Sequence, residues 1–549
     1  MNSIEAIAHL LTTVVKKLYS PSDTTLSQIT CSLNLEESKQ AFGDLSSNAA
    51  LVVAKELKRN PREIAQEIVT KLNHALIKKL DIAGPGFLNI TLTDQALTQL
   101  ASDLYAAGAS FFKPSGLTPQ KYSIEFVSAN PTGPLHLGHG RGGIIGDVLG
   151  NVLRFLGHKV TKEYYINDAG SQMNKLGASF KIRCQQELGE LVSLPEDGYR
   201  GEYLVELART CVKEYGKSLL AQPDAFFIEY AHTHLLKRIE ATLKKYGITF
   251  DMWFSEKTLH ENGTIDRELE QLAHDKHTYE KDGAVWFKAT EFGDDKDRVL
   301  KKSSGELTYA AADFAYMKDK FNRGFDHLIM ILGQDHHSYV TRLKGMAEAM
   351  NYDPNRLDVI LYQLVSLREG DQQLRMSKRA GHMVTLQDII DTVGTDVARF
   401  FYLNRKPEAH LDFDLELALK KTDDNPVYYI QYAYVRTRSI LEKAQQYAEL
   451  LDITHDDCKH VTRAEAMLLK KIASLKQLLN VIGASYQIHL LSYYTIELAQ
   501  TFHSYYAKYR VIEEDQITQS RGRLATIHIL NKTFHQVLSL LGISQPASM

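Results

Sequence analysis

The stretch Phe126–His139, FVSANPTGPLHLGH, constrains the fold more than any other part of the chain. It opens as a buried strand, breaks at Pro131, Gly133 and Pro134, and ends in two histidines three residues apart where a helix begins. Proline lacks the N–H that a strand ladder or a helix interior needs, so the chain must turn here. A helix that starts at the C-terminal end of a strand presents N–H groups and the positive end of its dipole, which suits phosphate. Gly138, Gly140, Gly142 and Gly143 carry no side chains and are expected to let a nucleotide approach the backbone. His136 and His139 are then placed to donate hydrogen bonds where charge accumulates on phosphate oxygens. Taken alone, the pair is equally consistent with incidental surface histidines, and a metal reading lacks a third ligand.

The flanking pattern places this turn in a larger unit. YSIEFVSAN, KVTKEYYIND, HLIMILGQDHH and VILYQLVSL read as strands, and a helix is expected from about 140 to 156 with Gly157 as its C-cap. Alternation of this kind predicts a parallel sheet of the Rossmann type over 113–424, with a charged, mostly helical insertion at about 175–282. Residues 1–112 read as a small α/β domain. Within it Asn60 is an N-cap, Pro61 opens a helix with Glu63 in its first turn, and Ile64, Ile68 and Leu72 form one apolar face. From 425 to 549 the sequence is helical almost throughout, as in a separate all-helical bundle.

At 549 residues the chain is too long for one core. A hydrophobic fraction of 44% and a charged fraction of 24% are those of an ordinary soluble globular protein. Cys31, Cys184, Cys211 and Cys458 are far apart, which argues for a reducing compartment and against a disulfide framework or a cysteine zinc site. The N-terminus lacks the features of a signal peptide, and no run of 18 apolar residues is present, so no membrane span is expected. A formal charge of −3 means that any RNA surface must be a local basic patch.

A second segment, GDQQLRMSKRAGHMVTL, follows the last strand and carries Arg375, Lys378 and Arg379. A short basic loop is usually just solvated. Two such features at strand ends, more than 230 residues apart, point to one phosphate site.

PLHLGH resembles the His-Ile-Gly-His signature of class I aminoacyl-tRNA synthetases, and RMSKR resembles their Lys-Met-Ser-Lys-Ser signature. Leu137 and Arg375 are the departures, and both keep the chemical type. The segment IEFVSANPTGPLHLGHGRGGIIGDVLGNVLRFLGHKVTKEYYINDAGSQM is similar to the active-site segment of bacterial arginyl-tRNA synthetases. GDLSSNAALVVAKEL, IAGPGFLNI, FHSYYAKYRV and LLGISQPASM extend the resemblance nearly end to end. It implies catalytic roles for His136, His139 and Lys378, and ATP contacts at Gly138, His139, Gly142, Met376, Ser377, Lys378 and Arg379. It implies an arginine site at Glu125, Ser128, Asn130, Tyr309, Asp313 and Gln334. For a guanidinium, carboxylates are the expected partners, and Tyr309 and Asp313, four apart, share a helix face. His336 and His337 would line the nucleotide pocket.

Arg436, Arg438, Tyr505, Tyr509 and Arg510, with Tyr506 among them, mix cations and rings as RNA surfaces do, although tyrosines at this spacing also occur in bundle cores. The resemblance marks the bundle as an anticodon reader and the N-terminal domain as a second tRNA contact. The expected substrates are L-arginine, ATP with Mg²⁺ and tRNA(Arg), with no resident metal, a monomeric cytoplasmic enzyme, and adenylate formation that requires bound tRNA. Two rivals remain at this level. One is an inactive synthetase-like tRNA-binding or regulatory protein. The other is a small nucleotidyltransferase of the same superfamily, which would have no use for a terminal bundle.

Overall fold

The computed structural model describes residues 2–370, 372–374 and 384–549. The strand before the proline turn is Lys121–Phe126, at the centre of a five-stranded sheet. Across the sheet the order is Leu357–Tyr362, His327–Gly333, Lys121–Phe126, Lys159–Ile166 and Met252–Ser255. Every neighbouring pair is parallel. The chain leaves Lys121–Phe126 toward one edge and later returns to fill the other. The crevice between Lys121–Phe126 and His327–Gly333 is therefore the topological switch point, where open α/β sheets bind ligands.

The helix Leu137–Leu156 covers this sheet and ends at Gly157, whose φ of 108° is the left-handed cap expected from the sequence. It begins three residues before the expected position, because His136 itself is the N-cap. Its glycines serve packing. A Cβ on Gly146 would stand 2.3 Å from the Phe126 ring, so the helix lies closer to the strand than any side chain would allow. Gly140, Gly142 and Gly143, expected to admit a nucleotide, are closely packed in the same way. A Cβ on Gly140 would meet Leu386 and Tyr402, one on Gly142 would meet Tyr362, and one on Gly143 would meet Ile248 and Val127.

Two further expectations change. VILYQLVSL splits into Leu357–Tyr362, the edge of the parallel sheet, and Val365–Glu369, which pairs with Leu411–Asp414 and Gln372–Leu374 in a separate small sheet. The stretch 175–282 contains Met252–Ser255, a strand of the parent sheet. Three helices (Ser171–Glu187, Glu202–Tyr215, Asp224–Lys245) precede that strand, and a smaller helix-and-strand unit follows it. A four-residue strand flanked by long helices has too little alternation to stand out in the sequence.

In the N-terminal region, Pro61–Lys71 forms the expected helix, with the Asn60 side chain accepting from the Arg62 N–H at 2.9 Å. Ile64, Ile68 and Leu72 are buried as expected. This helix packs with two others around an antiparallel four-stranded sheet. The C-terminal region folds as Pro426–Ala444, Ala466–Ser485, His489–Lys508 and Ile517–Leu541. The two regions meet through buried charge: Asp44 pairs with Arg463 at 2.8 Å and with Lys470 at 3.1 Å. Among the described residues no helix is long and apolar enough to cross a membrane.

The Gly146 contact is testable. Gly146→Ala forces the helix off the Phe126 ring and should destabilise the protein by about 1–3 kcal/mol, the usual effect of overpacking a core. Urea unfolding followed by near-UV circular dichroism measures this, and an unchanged midpoint would contradict the packing account.

Candidate active site

After Phe126 the backbone makes a tight reversal. The Ser128 N–H donates to the Phe126 carbonyl at 3.0 Å across Val127, and Val127 and Ser128 have φ of 67° and 39°. Left-handed φ at a β-branched residue is strained and persists only where the surroundings over-determine it. Here the Ser128 hydroxyl does so, donating to Glu125 Oε1 at 3.2 Å and accepting from the Tyr165 N–H at 3.1 Å.

The histidines close the turn as a reciprocal cap. His136 Nδ1 accepts from the Gly138 N–H at 3.1 Å, and His139 Nδ1 accepts from the His136 N–H at 3.2 Å. The rings stack with centroids 3.6 Å apart. A ring nitrogen that accepts an N–H carries no proton, so each neutral imidazole is assigned the Nε2–H tautomer and presents Nε2–H as a donor. The spacing of three thus satisfies helix N–H groups and fixes the tautomer together.

Both imidazoles line a cavity of about 950 Å³ at the switch point. Glu125, Ser128, Asn130, Tyr309 and Asp313 line it too, so five of the six residues expected to hold arginine converge with the histidines. Gln334 is the exception. It opens the short turn Gln334–His336, and its neighbours Gly333, Asp335 and His336 form the wall instead. Gly138 lines the cavity, whereas the buried Gly142 packs under Tyr362. Met376, Ser377, Lys378 and Arg379 lie outside the described residues.

The helix Tyr309–Asn322 contributes one face, Tyr309, Asp313, Tyr316 and Lys320, at spacings of four, three and four. Tyr309, 57% exposed, stands at its first position. Lys320 is buried and pairs with Glu125 at 2.8 Å, and the Tyr316 hydroxyl donates to Glu125 at 2.9 Å. Asp313 accepts a hydrogen bond from the Tyr339 hydroxyl. Burial pushes the Asp313 carboxyl up to about 7, with Glu256 and Glu125 adding to the rise and Tyr339 and Arg342 opposing it.

Sequence reasoning missed Glu256, Tyr339 and Arg342, which all line the cavity. Glu256 follows the short edge strand, and its N–H donates to the Ile166 carbonyl at 3.0 Å. Burial raises its carboxyl above the usual range, while Tyr165 and His260 oppose the rise. Finding these residues required the strand pairing itself, since no motif spacing links them to Asp313. The cavity lining thus combines the carboxyl groups of Glu125, Glu256 and Asp313, the first of them paired with Lys320, with two imidazole donors. The first set fits a cation and the second an anion.

The residues expected on RNA divide. Arg436 lies over the rings of Tyr432 and Tyr506, at 5.1 and 4.6 Å. Arg438 pairs with Glu442 at 2.8 Å on the surface, and Arg510 is exposed. Tyr509 lines a groove of about 1210 Å³ between the N-terminal region and the bundle. Tyr505 lines the same groove, although it is only 6% exposed and its hydroxyl donates to the buried Glu465 at 2.9 Å.

Comparison with known families agrees with this geometry. Residues 108–407 match the class I (R) tRNA synthetase catalytic domain. Residues 5–92 match the arginyl-tRNA synthetase N-terminal domain, and 430–549 match the DALR anticodon-binding domain. The chain is 41% identical to the arginine–tRNA ligase of Bacillus subtilis over 93% of both chains. It is 42% identical to that of a Geobacter species over 94% of this chain and 95% of the other. The structure of Thermus thermophilus arginyl-tRNA synthetase superposes with a TM-score of 0.74 at 20% identity, covering 100% of each chain, and so shares the fold. Fold and site thus define a class I aminoacyl-tRNA synthetase. Within that class, the chain belongs to the arginyl-tRNA synthetase family.

The Asp313 carboxyl gives a pH test. Its folded value of about 7 exceeds 3.8, so its contribution to stability is present below pH 3.8 and lost as pH rises through about 7. Binding a guanidinium requires the ionised form, so affinity should fall as pH drops below about 7. Tyr339→Phe removes a hydrogen bond that favours the carboxylate and should move the midpoint of this loss to higher pH. Calorimetric titration of a guanidinium ligand across pH measures it, and an unshifted midpoint would contradict the assignment.

Proposed function

We propose that the chain is an arginine–tRNA ligase that activates L-arginine with ATP and transfers it to the 3′-terminal adenosine of tRNA(Arg). The observation that carries this reading is the convergence of Glu125, Glu256 and Asp313 with His136 and His139 on one cavity. Asp313 and Tyr309 receive the guanidinium, whose planar fork needs acceptors fixed in its plane, and Glu256 adds negative potential. Glu125, Ser128 and Asn130 lie toward the histidines and orient the amino-acid end.

In the first step a carboxylate oxygen of arginine attacks the α-phosphorus of ATP. A P–O bond forms to give arginyl-adenylate, and the bond to the β-phosphate oxygen breaks to release pyrophosphate. The Nε2–H groups of His136 and His139, above the N-terminus of Leu137–Leu156, stabilise charge on the α-phosphate oxygens. Lys378 is assigned to the leaving pyrophosphate on the strength of the sequence resemblance, and Mg²⁺ enters with the triphosphate as part of the substrate. In the second step the 2′-hydroxyl of the terminal ribose attacks the adenylate carbonyl and AMP leaves. The chemistry is positioning and electrostatics without a covalent enzyme intermediate. We divide the chain at about 112 and 424, with Arg436, Arg438, Tyr509 and Arg510 on the tRNA-facing side of a cytoplasmic monomer.

Two tests follow. His136→Ala or His139→Ala should lower adenylate formation by about 10²–10³-fold, the usual effect of losing one transition-state donor. Arginine affinity should barely change, and near-normal rates in both variants would remove the pair from the mechanism. Asp313→Asn should reduce kcat/KM for arginine by about 2–4 kcal/mol while leaving ATP binding intact, because a desolvated guanidinium loses its charged partner. A wild-type kcat/KM in that variant would show that the guanidinium binds elsewhere.

A further inference from the structure

One buried side chain ties the C-terminal end of the chain to the active-site helix and to a third element. Arg399, 1% exposed, lies on the helix Thr395–Leu403. Its Nη2 donates to Asp147 Oδ2 at 2.5 Å, its Nε to the Leu541 carbonyl at 2.9 Å, and its Nη1 to the Tyr246 carbonyl at 2.6 Å. Each acceptor belongs to a different element. Asp147 is on Leu137–Leu156, Leu541 is the last residue of Ile517–Leu541, and Tyr246 caps Asp224–Lys245. A guanidinium at two helix C-termini meets carbonyls otherwise left unsatisfied and the negative ends of two dipoles.

The rest of the cluster reinforces the same connection. Lys162 Nζ, from the strand beside Lys121–Phe126, donates to Asp147 Oδ1 at 2.6 Å and to Asn151 Oδ1 at 2.9 Å. The Asn151 amide donates to the Leu540 carbonyl at 3.2 Å. Asp147 and Asn151, four apart, share one face of the active-site helix. Gly542 ends the terminal helix with φ of 67°, and a Cβ there would fall 2.3 Å from Arg399 Nη2. The guanidinium occupies the space that this glycine leaves. Asp147 lies eight residues after His139, about 12 Å along the helix axis.

We propose that Arg399 is a positioning residue through which the end of the bundle's terminal helix holds the His136/His139 helix in register for adenylate formation. The inference rests on the ligase reading and adds a residue to it. The bundle and the active-site helix share a charged, fully hydrogen-bonded joint, so a shift of the terminal helix moves Asp147 and with it the imidazoles. The guanidinium subsite lies on Tyr309–Asn322, a separate element, so arginine binding is not displaced.

Two variants test this from opposite sides. Arg399→Lys keeps a charge for Asp147, but one ammonium cannot span three acceptors set out for a planar fork. Gly542→Ala drives a methyl into the guanidinium from the bundle side. Each full-length protein is assayed for arginine-dependent ATP–pyrophosphate exchange with tRNA present, with rates expressed per titrated active site. The expected result is a fall in kcat of about ten- to a hundredfold, the scale of a small misplacement of reacting groups, with KM for arginine within about twofold of wild type. A purely structural role would lower the fraction of active sites and leave the rate per site unchanged. That outcome, or a KM for arginine that rises in step with the loss of kcat, would overturn the proposal. If one variant does not fold, the other decides, and failure of both to fold would overturn it by making the joint a condition of the fold. Absence of exchange in the wild-type protein would instead defeat the ligase reading.

Discussion

Two hydrogen bonds, from the Gly138 N–H to His136 Nδ1 and from the His136 N–H to His139 Nδ1, hold the functional architecture in place. They start the helix directly after the prolines and fix the tautomer of both rings. They also place the positive end of the helix dipole at the carboxyl edge of the sheet. The strained reversal at Val127 and Ser128 supports this start by turning the chain sharply after Phe126. Strain of this kind costs on the order of 1–3 kcal/mol per residue and persists where surrounding contacts enforce it. The Ser128 hydroxyl, engaged with Glu125 and the Tyr165 N–H, supplies that enforcement.

Electrostatics then separate two kinds of carboxylate within the same walls. Burial pushes Glu163 up, but Lys320 and Arg323 outweigh it and hold the carboxyl down at about 2. Arg323 pairs with it at 2.8 Å. This buried group is a settled structural ion pair. At Asp313 burial wins, because Tyr339 and the more distant Arg342 are weaker compensation and Glu256 and Glu125 add repulsion. A carboxyl held near neutrality in the free protein gains most from an incoming guanidinium, which restores its charge and its hydrogen bonds together. On the proposed reading, the difference between Glu163 and Asp313 is thus the difference between a site completed by the protein and one completed by a cationic substrate.

Much of this was legible in the sequence, and the failures have specific causes. The proline turn, the Gly157 cap, the Asn60 cap and the terminal helices follow from local chemistry and appear as expected. Tyr309 and Asp313 were placed on one helix face by spacing, and that face continues through Tyr316 and Lys320. Glu256 was invisible because its position depends on a short edge strand pairing with Lys159–Ile166, a long-range event with little periodic signal. The packing of Gly142 was not legible, because a glycine that makes room for a ligand and one that makes room for Tyr362 look identical in sequence. Tyr505 shows a related ambiguity: aromatic residues at helical spacing suit a core and an RNA surface equally, and its ring lines the groove beside Tyr509 while its hydroxyl is bonded to the buried Glu465.

The central claim is that the carboxylates around Asp313 select a guanidinium and that the imidazole turn activates it on ATP. The most direct measurement is aminoacylation of unfractionated tRNA by the wild-type protein with each of the twenty amino acids in turn. The account predicts charging with arginine and rejection of lysine, whose compact ammonium leaves acceptors of a planar fork unpaired. Efficient charging with lysine, or no charging with arginine, would contradict it.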